Sequence, residues 1–383
     1  MRILMIAHAF PPTFGGVESH LWDISTRLAE RGHDIYCLVG GEKYSREELG
    51  NFTVVRWPDF TVQSLLARRK GWDSQAISDN LLNDLARIIS QSIAEFTPSH
   101  VHIHNGHHFA PELALSLFTQ IRHIPLVNGV HDRVGEHLFE QIMNYSWDRV
   151  LYASHYLKKS IPTRSAASVM WLGIDLTKFS PQGSTDPRFA AFERPIVFHP
   201  ARLLRWKGVN IGLHAFLELR RRLGKGTLVL CSSENIVDDP THVQALRNEL
   251  VAIARNAQAA DAVQFLAFHR SEIASAYRAS DLVWYPTIDD EPFGLVPLEA
   301  MACAIPLIVS RSGGMVETVV DGETGLIVDK NDHNALANAA IRILADETLR
   351  TRIVKQGQEH VRMFDADSYV NRLEKLYKEV AAT

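Results

Sequence analysis

Two glutamates at positions 291 and 299 bracket the stretch Glu-Pro-Phe-Gly-Leu-Val-Pro-Leu-Glu. Gly294 frees the backbone to turn into a helix, and Pro297 is tolerated there because a first helical turn needs no N–H from it. The amides of Phe293, Gly294, Leu295 and Val296 then face outward with positive partial charge, which suits a phosphate. Glu291 before the helix and Glu299 within it can accept hydrogen bonds from sugar hydroxyls. Together the groups suit a sugar joined to a diphosphate. An ordinary amphipathic helix with acids near its start would carry the same residues.

Arg202 and Lys207 fall in Pro-Ala-Arg-Leu-Leu-Arg-Trp-Lys-Gly, after an apolar run and before a helix. Two cations there can neutralise a diphosphate and stabilise it as it leaves. A solvated basic loop is the alternative. His131-Asp132 also follows an apolar run, where an imidazole can donate to a sugar hydroxyl or a developing charge. Gly15-Gly16 opens another helix and lets backbone amides approach a phosphate, or simply makes a turn. It is not the G-x-G-x-x-G fingerprint, so no dinucleotide cofactor is inferred. His100, His102 and His104 alternate and share one face of a strand. No acid is spaced with them as a ligand, so the reading is histidines lining a polar cleft, with no metal. The basic cluster Arg220, Arg221, Arg222 and Lys225 reads as compensation of a helix dipole.

These residues need strands to hold them. Strands are expected at Ile3 to Ala7, Ile35 to Val39, Thr53 to Arg56, Val101 to His104, Leu126 to Val130, Arg149 to Ala153 and Val169 to Trp171. A second series begins at Pro195 and continues at Thr227 to Leu230, Val263 to Phe268, Leu282 to Tyr285 and Pro306 to Val309. A helix from Val17 to Glu30 presents Val17, Leu21, Ile24 and Leu28 on one face and ends at Gly32. Others are expected over Ile211 to Leu223, Val243 to Ala254 and Asp367 to Ala381. Such alternation predicts parallel sheets covered by helices. Residues 1–180 form the expected first domain, 181–194 a turn-rich linker and 195–365 the second. The fold class is therefore α/β: two facing Rossmann-like, doubly wound domains with a ligand cleft between them. Gly322 to Val328 reads as a tight hairpin.

The chain has 383 residues, enough for two cores, and is 46% hydrophobic and 22% charged. A net charge of -4 gives no reason to expect nucleic acid. No apolar run reaches membrane-spanning length, and the N-terminus reads as a buried strand rather than a leader. Three scattered cysteines fit a reduced, cytoplasmic protein. Leu65 to Trp72 mixes basic and apolar residues, as a weak membrane-surface contact or an exposed loop would.

In order, these elements resemble the retaining family 4 glycosyltransferases of the GT-B fold. The resemblance runs through Gly15-Gly16, His102-Ile103-His104, His131-Asp132, Gly173-Ile174-Asp175, Arg202 with Lys207-Gly208, Glu291-x7-Glu299, Pro306, Gly313-Gly314 and Glu317. It implies that Glu291 binds donor-sugar hydroxyls and Glu299 the ribose. Arg202 and Lys207 would hold the diphosphate, with Gly15, Gly16 and the amides of 294–296 completing the cradle. His131 would support the reacting centre, and Arg270 would lie near the nucleobase. The last helix, 366–383, would pack back on the first domain. Leu172, Cys231, Ala267 and Cys303 depart from the family pattern, which leaves base preference and local loop shape open.

The function expected is transfer of a sugar from a nucleotide diphosphate, uridine by family frequency, to an acceptor hydroxyl, with retention and without metal. The nucleotide sugar is a co-substrate, and no cofactor is implied. The acceptor, a glycan, a lipid-linked sugar or a small molecule, would be read by loops around 57–75 and 105–140. A nucleotide-sugar epimerase on the same fold is the rival enzyme, although no acid/base pair for it stands out. A non-catalytic nucleotide-sugar-binding protein is a third reading.

Overall fold

The computed structural model describes residues 1–13, 15–61, 79–106, 121, 123–132, 142–232 and 240–382. The chain divides into two compact units, residues 1–173 with 366–383, and residues 174–365.

The first unit is built on β1 (Arg2–Ala7), β2 (Asp34–Gly40), β3 (Ser45–Leu49), β4 (Phe52–Trp57), β5 (His100–His104), β6 (Leu126–Val130), β7 (Arg149–Tyr152) and β8 (Ala167–Val169). They form one sheet in the order β3-β4-β2-β1-β5-β6-β7-β8. Every pairing is parallel except that of β3 with β4. Strands β1, β5 and β6 are buried almost throughout; β1 reads as an apolar run for that reason, whereas β5 alternates histidine with Val101 and Ile103 and still has both faces covered. The helices are α1 (Gly16–Glu30), α2 (Asp79–Phe96), α3 (His155–Ser160) and, from the far end of the chain, the helix Ala366–Val380. Helix α1 buries Leu21, Ile24 and Leu28, and Gly32 ends it at φ 82°. Arg31 ties α1 to the terminal helix through Glu374 at 3.1 Å and Asp367 at 2.9 Å.

The second unit carries β9 (Ile196–His199), β10 (Thr227–Cys231), β11 (Val263–Leu266), β12 (Leu282–Tyr285), β13 (Leu307–Ser310) and β14 (Leu326–Val328). All are parallel, in the order β11-β10-β9-β12-β13-β14. Its helices are α4 (Val209–Leu223), α5 (Pro240–Asn256), α6 (Ile273–Ala279), α7 (Leu295–Ala302), α8 (His333–Ala345) and α9 (Glu347–His360), and the terminal helix of the first unit is α10. Leu213, Phe216, Leu228, Leu230, Trp284 and Ile308 sit in its core. The strand order reverses direction between β9 and β12, and in such sheets ligands bind at that crevice, beyond the strands' C-terminal ends. Strand β1 holds the same position in the first unit, with β5 across the reversal.

Two expectations change. The hairpin at Gly322 to Val328 is a turn leading into β14, which pairs parallel with β13. The turn itself is closed locally by the bridge Asp321–Gly325 and by Gly322 N donating to the Gly325 carbonyl at 2.8 Å. The stretch 181–194, expected as a linker, folds with the second unit. Pro187–Ala191 is a 3-10 turn capped by Asp186, and Phe189 is buried against Phe198. The segment Leu65 to Trp72 and most of the loops expected to read the acceptor lie outside the described residues.

Candidate active site

The loop after β9 carries Arg202 and Lys207, and the loop after β12 carries Glu291. They meet because Gly208 is in the left-handed region (φ 75°), and a Cβ there would stand 1.8 Å from the Pro286 carbonyl oxygen. No other residue lets the first loop lie so close to the end of β12. Lys207 Nζ reaches Glu291 Oε2 at 2.7 Å, and Tyr285 OH donates to the same oxygen at 2.7 Å. The ammonium also donates to the Tyr285 hydroxyl, which closes a three-membered group. Trp206 lies under the charge, its ring centroid 3.8 Å from Nζ. Lys207 and Glu291 are buried, so each charge depends on the other. Burial and the Glu291 carboxylate hold the Tyr285 phenol well above its usual pKa, and the nearby Arg202 charge opposes them.

The Glu291 loop is fastened to the loop after β13. Ser312 Oγ accepts the Glu291 amide at 2.8 Å and donates to the Asp289 carbonyl at 2.7 Å. Gly314 N donates to the Glu291 carbonyl at 2.7 Å. Gly313 (φ 42°) again leaves no room for a side chain, since a Cβ would meet that carbonyl at 2.2 Å. Gly294 (φ 88°) precedes α7, whose start has no side-chain cap. Leu295 and Val296 begin that helix. Phe293 is buried and packs on Phe364, so only its backbone is at issue here. On α7, Glu299 Oε2 accepts from Tyr277 OH at 2.5 Å. Arg270 follows β11, the edge strand two places from β9. Its neighbour Phe268 is a core residue, stacked edge-on against Phe198.

The first unit holds Gly15, Gly16 and His131. Gly15 is extended, and a Cβ on it would fall 2.1 Å from Glu18 Oε2, so a carboxylate already stands over the start of α1. His131 Nε2 bonds His104 Nδ1 at 3.0 Å with the rings nearly parallel. Its amide donates to Asn105 Oδ1 at 2.8 Å, and Asn105 Nδ2 donates to Asp132 Oδ2 at 3.0 Å. His20, His102 and His104 are all buried beside it. Burial first, then their mutual repulsion, lowers His20 and His104 well below the ordinary imidazole value and His102 to about 3. Gly129 keeps this group together, since a Cβ there would come within 2.8 Å of His131 Nε2 and 3.1 Å of His102 Nε2. The strand histidines do not line an open cleft. Tyr377 of α10 covers them, bonding His102 Nδ1 through its hydroxyl at 2.7 Å and His100 Nε2 through its carbonyl at 2.8 Å. Among the described residues, no group of three or more His, Cys, Asp or Glu is arranged to hold a metal ion.

A family model described as Glycosyltransferase Family 4 matches residues 14–178, and one described as Glycosyl transferases group 1 matches residues 186–360. The chain belongs to the family 4 glycosyltransferases. This glycosyltransferase is 27% identical over 378 residues to a GDP-mannose-dependent alpha-(1-6)-phosphatidylinositol monomannoside mannosyltransferase of Mycolicibacterium smegmatis, covering 90% of this chain and 89% of that one. It is 31% identical to a D-inositol 3-phosphate glycosyltransferase of Salinispora arenicola over 58% of this chain; the match spans about half, 51%, of that relative. In fold it is similar to a sucrose-phosphate synthase from Thermosynechococcus elongatus (TM-score 0.80, 22% identity, 99% of both chains). It is likewise similar to Anabaena HepE in complex with UDP and glucose (TM-score 0.75, 20% identity, 99% of both chains). The architecture is the GT-B fold.

In this glycosyltransferase, Lys207 and Glu291 are in direct contact, Arg202 is within electrostatic reach of their tyrosine, and Glu299 stands on the helix that follows. Gly15, Gly16 and His131 belong to the other unit. Sequence reasoning missed Tyr285, Tyr277 and Ser312. Ser312 stands before Gly313-Gly314, a placement that hinted at a loop contact. The tyrosines gave no signal: Tyr285 ends an apolar strand, and Tyr277 sits on a short alanine-rich helix.

Proposed function

We propose that this glycosyltransferase moves a sugar from a nucleotide diphosphate to an acceptor hydroxyl with retention at the anomeric carbon. The observation carrying the reading is the buried Lys207–Glu291–Tyr285 group beside the uncapped start of α7. In this reading the bond between the anomeric carbon and the diphosphate oxygen breaks, and its electron pair stays on the diphosphate. Lys207, Arg202 and the amides of Gly294, Leu295 and Val296 stabilise that charge. The acceptor oxygen bonds the anomeric carbon on the same face, and its proton passes to the departing phosphate. No metal is required, because these cations do the neutralising.

Glu291 binds sugar hydroxyls, Glu299 the ribose, and Arg270 lies toward the base. His131 supports the sugar. Gly16, and less so Gly15 with Glu18 over it, completes the phosphate contacts. The second unit is the donor side, and the first, with α10, the acceptor side. The donor base is open between uridine, the family default, and guanosine, named in the mannosyltransferase relative. An acceptor carrying an inositol or sugar hydroxyl accords with the names of both relatives. The three buried free cysteines fit a cytoplasmic protein. Among the described residues no helix is long and apolar enough to cross a membrane.

Calorimetric titration of UDP, GDP, ADP and dTDP, with Glu299→Ala as control, tests the reading. One nucleotide should bind, and the variant should lose about ten- to a hundredfold in affinity, the worth of a charged hydrogen-bond acceptor. Absence of binding by all of them in the folded protein overturns the donor site.

A further inference from the structure

Each of the two carboxylates that bracket the helix start is held by a buried phenol. Tyr285 OH donates to Glu291 Oε2, and Tyr277 OH donates to Glu299 Oε2. The two rings come from different elements, β12 and α6, and both are almost wholly buried. We propose that Tyr285 and Tyr277 are positioning residues, Tyr285 setting Glu291 and Lys207 for turnover and Tyr277 setting Glu299 for nucleotide binding. The inference rests on the glycosyltransferase reading above and adds to it which groups hold the two acids in place.

The geometry around Tyr285 is specific. Its hydroxyl has one proton, and that proton goes to Glu291 Oε2. Its oxygen accepts from Lys207 Nζ, which also bonds Oε2. Both bonds to the carboxylate therefore fall on one oxygen, which fixes the plane of the group and leaves Oε1 to meet a ligand hydroxyl. Lys207 is held at the same time, with two acceptors engaged and a ring under the charge. A lysine has a long flexible stem, so a fixed ammonium needs such partners. Without the phenol, the ammonium and carboxylate would still attract each other, but neither orientation would be set. A leaving-group contact is sensitive to this, because a misplacement of about 1 Å costs on the order of a hundredfold in rate. The Tyr277 hydroxyl donates to Glu299 rather than to Glu291, so its effect should be felt by a different part of the ligand.

Tyr→Phe removes each hydroxyl and keeps the ring that fills the core, so the fold is retained. The measurement is hydrolysis of GDP-mannose and UDP-glucose by the full chain, together with titration of GDP and UDP. For Tyr285→Phe, kcat should fall about tenfold or more while nucleotide Kd stays within about twofold, the pattern of an interaction that matters in the transition state. For Tyr277→Phe the pattern should invert, with Kd weakened about tenfold and kcat little changed. Tyr285→Phe in a Glu291→Gln background should add little further loss, since the tyrosine acts through that carboxylate. A wild-type kcat for Tyr285→Phe, equal losses of kcat and affinity in both variants, or full additivity with Glu291→Gln overturns the inference while the transferase reading stands. A wild-type chain that binds none of UDP, GDP, ADP and dTDP overturns both.

Discussion

The two units share a strand order around their central strands and bury opposite kinds of polar group near them. Around β5 and the end of β6 the first unit buries His20 of α1, His102 and His104 of β5 itself, and His131, like groups that could only repel one another if charged. Beyond β9 and β12 the second buries Lys207 and Glu291, which are opposite. Burial resolves the first case by keeping His20, His102 and His104 neutral, and the second by pairing. One frame thus supports a neutral imidazole cluster and an ion pair, and the side chains carried on and around the central strands decide which.

The sharpest way to break the comparison is to remove one member of the pair. Lys207→Ala should lower donor turnover by about a hundred- to a thousandfold, the usual loss for an electrostatic group at a developing charge. Steady-state donor hydrolysis measures it, and nucleotide affinity should fall far less. Equal losses of both would end the leaving-group role.

Acid should separate the units next. The folded-state values of the histidines lie below that of an unfolded chain, so their contribution is fully present above about pH 6.5 and is lost as pH falls toward the folded values. For His102, held at about 3, the loss between pH 7 and pH 5 is about 2 kcal/mol. His20 and His104 add to it in the same direction, whereas His199, lowered to about 3 by burial and the Lys207 charge, contributes from the second unit. Hydrogen exchange at the two pH values, followed strand by strand, should show β1, β5 and β6 loosening more than β9 and β12. An equal response would mean that His199 counts for as much as the cluster.

A smaller effect tests how the pair is brought together. Gly208→Ala forces a Cβ onto the Pro286 carbonyl and should cost at least about 1 kcal/mol by denaturant titration, with activity reduced more than nucleotide affinity. The smallest expectation concerns the exposed pair Arg221–Glu218 on α4, 2.8 Å apart. Arg221→Ala should leave the Tm unchanged within error, because solvent screens such a pair where it does not screen Lys207 and Glu291.

Much of the frame could be read from residues alone. Runs such as Leu-Val-Trp-Tyr at 282–285 are apolar because both faces of their sheet are covered, and each appears as an expected strand. Ser45–Leu49 could not be read so. It is an exposed edge strand of polar and charged residues, with no apolar rhythm to mark it. The hairpin was misjudged for the opposite reason. Its glycines do make a turn, but the partner of Leu326–Val328 is β13, which lies well upstream. At the candidate site, Arg202, Lys207 and Glu291 could be picked out because charged residues are conspicuous after strand ends, and Glu299 because it stands on the helix that follows. Tyr285 could not, because its ring belongs to the core and only its hydroxyl takes part, across 78 positions of sequence from Lys207. The alternation at 100–104 placed three histidines on one face but could not tell what covers them, since Tyr377 is 275 positions from His102.

That cover has a consequence for the order in which the protein is made. The first unit is discontinuous: its imidazole face is closed by residues translated after the whole of the second unit, which is itself continuous in sequence. On the ribosome, His100 and His102 therefore stay open to water until Tyr377 has emerged, and the later-synthesised unit is free to finish folding before the earlier one does.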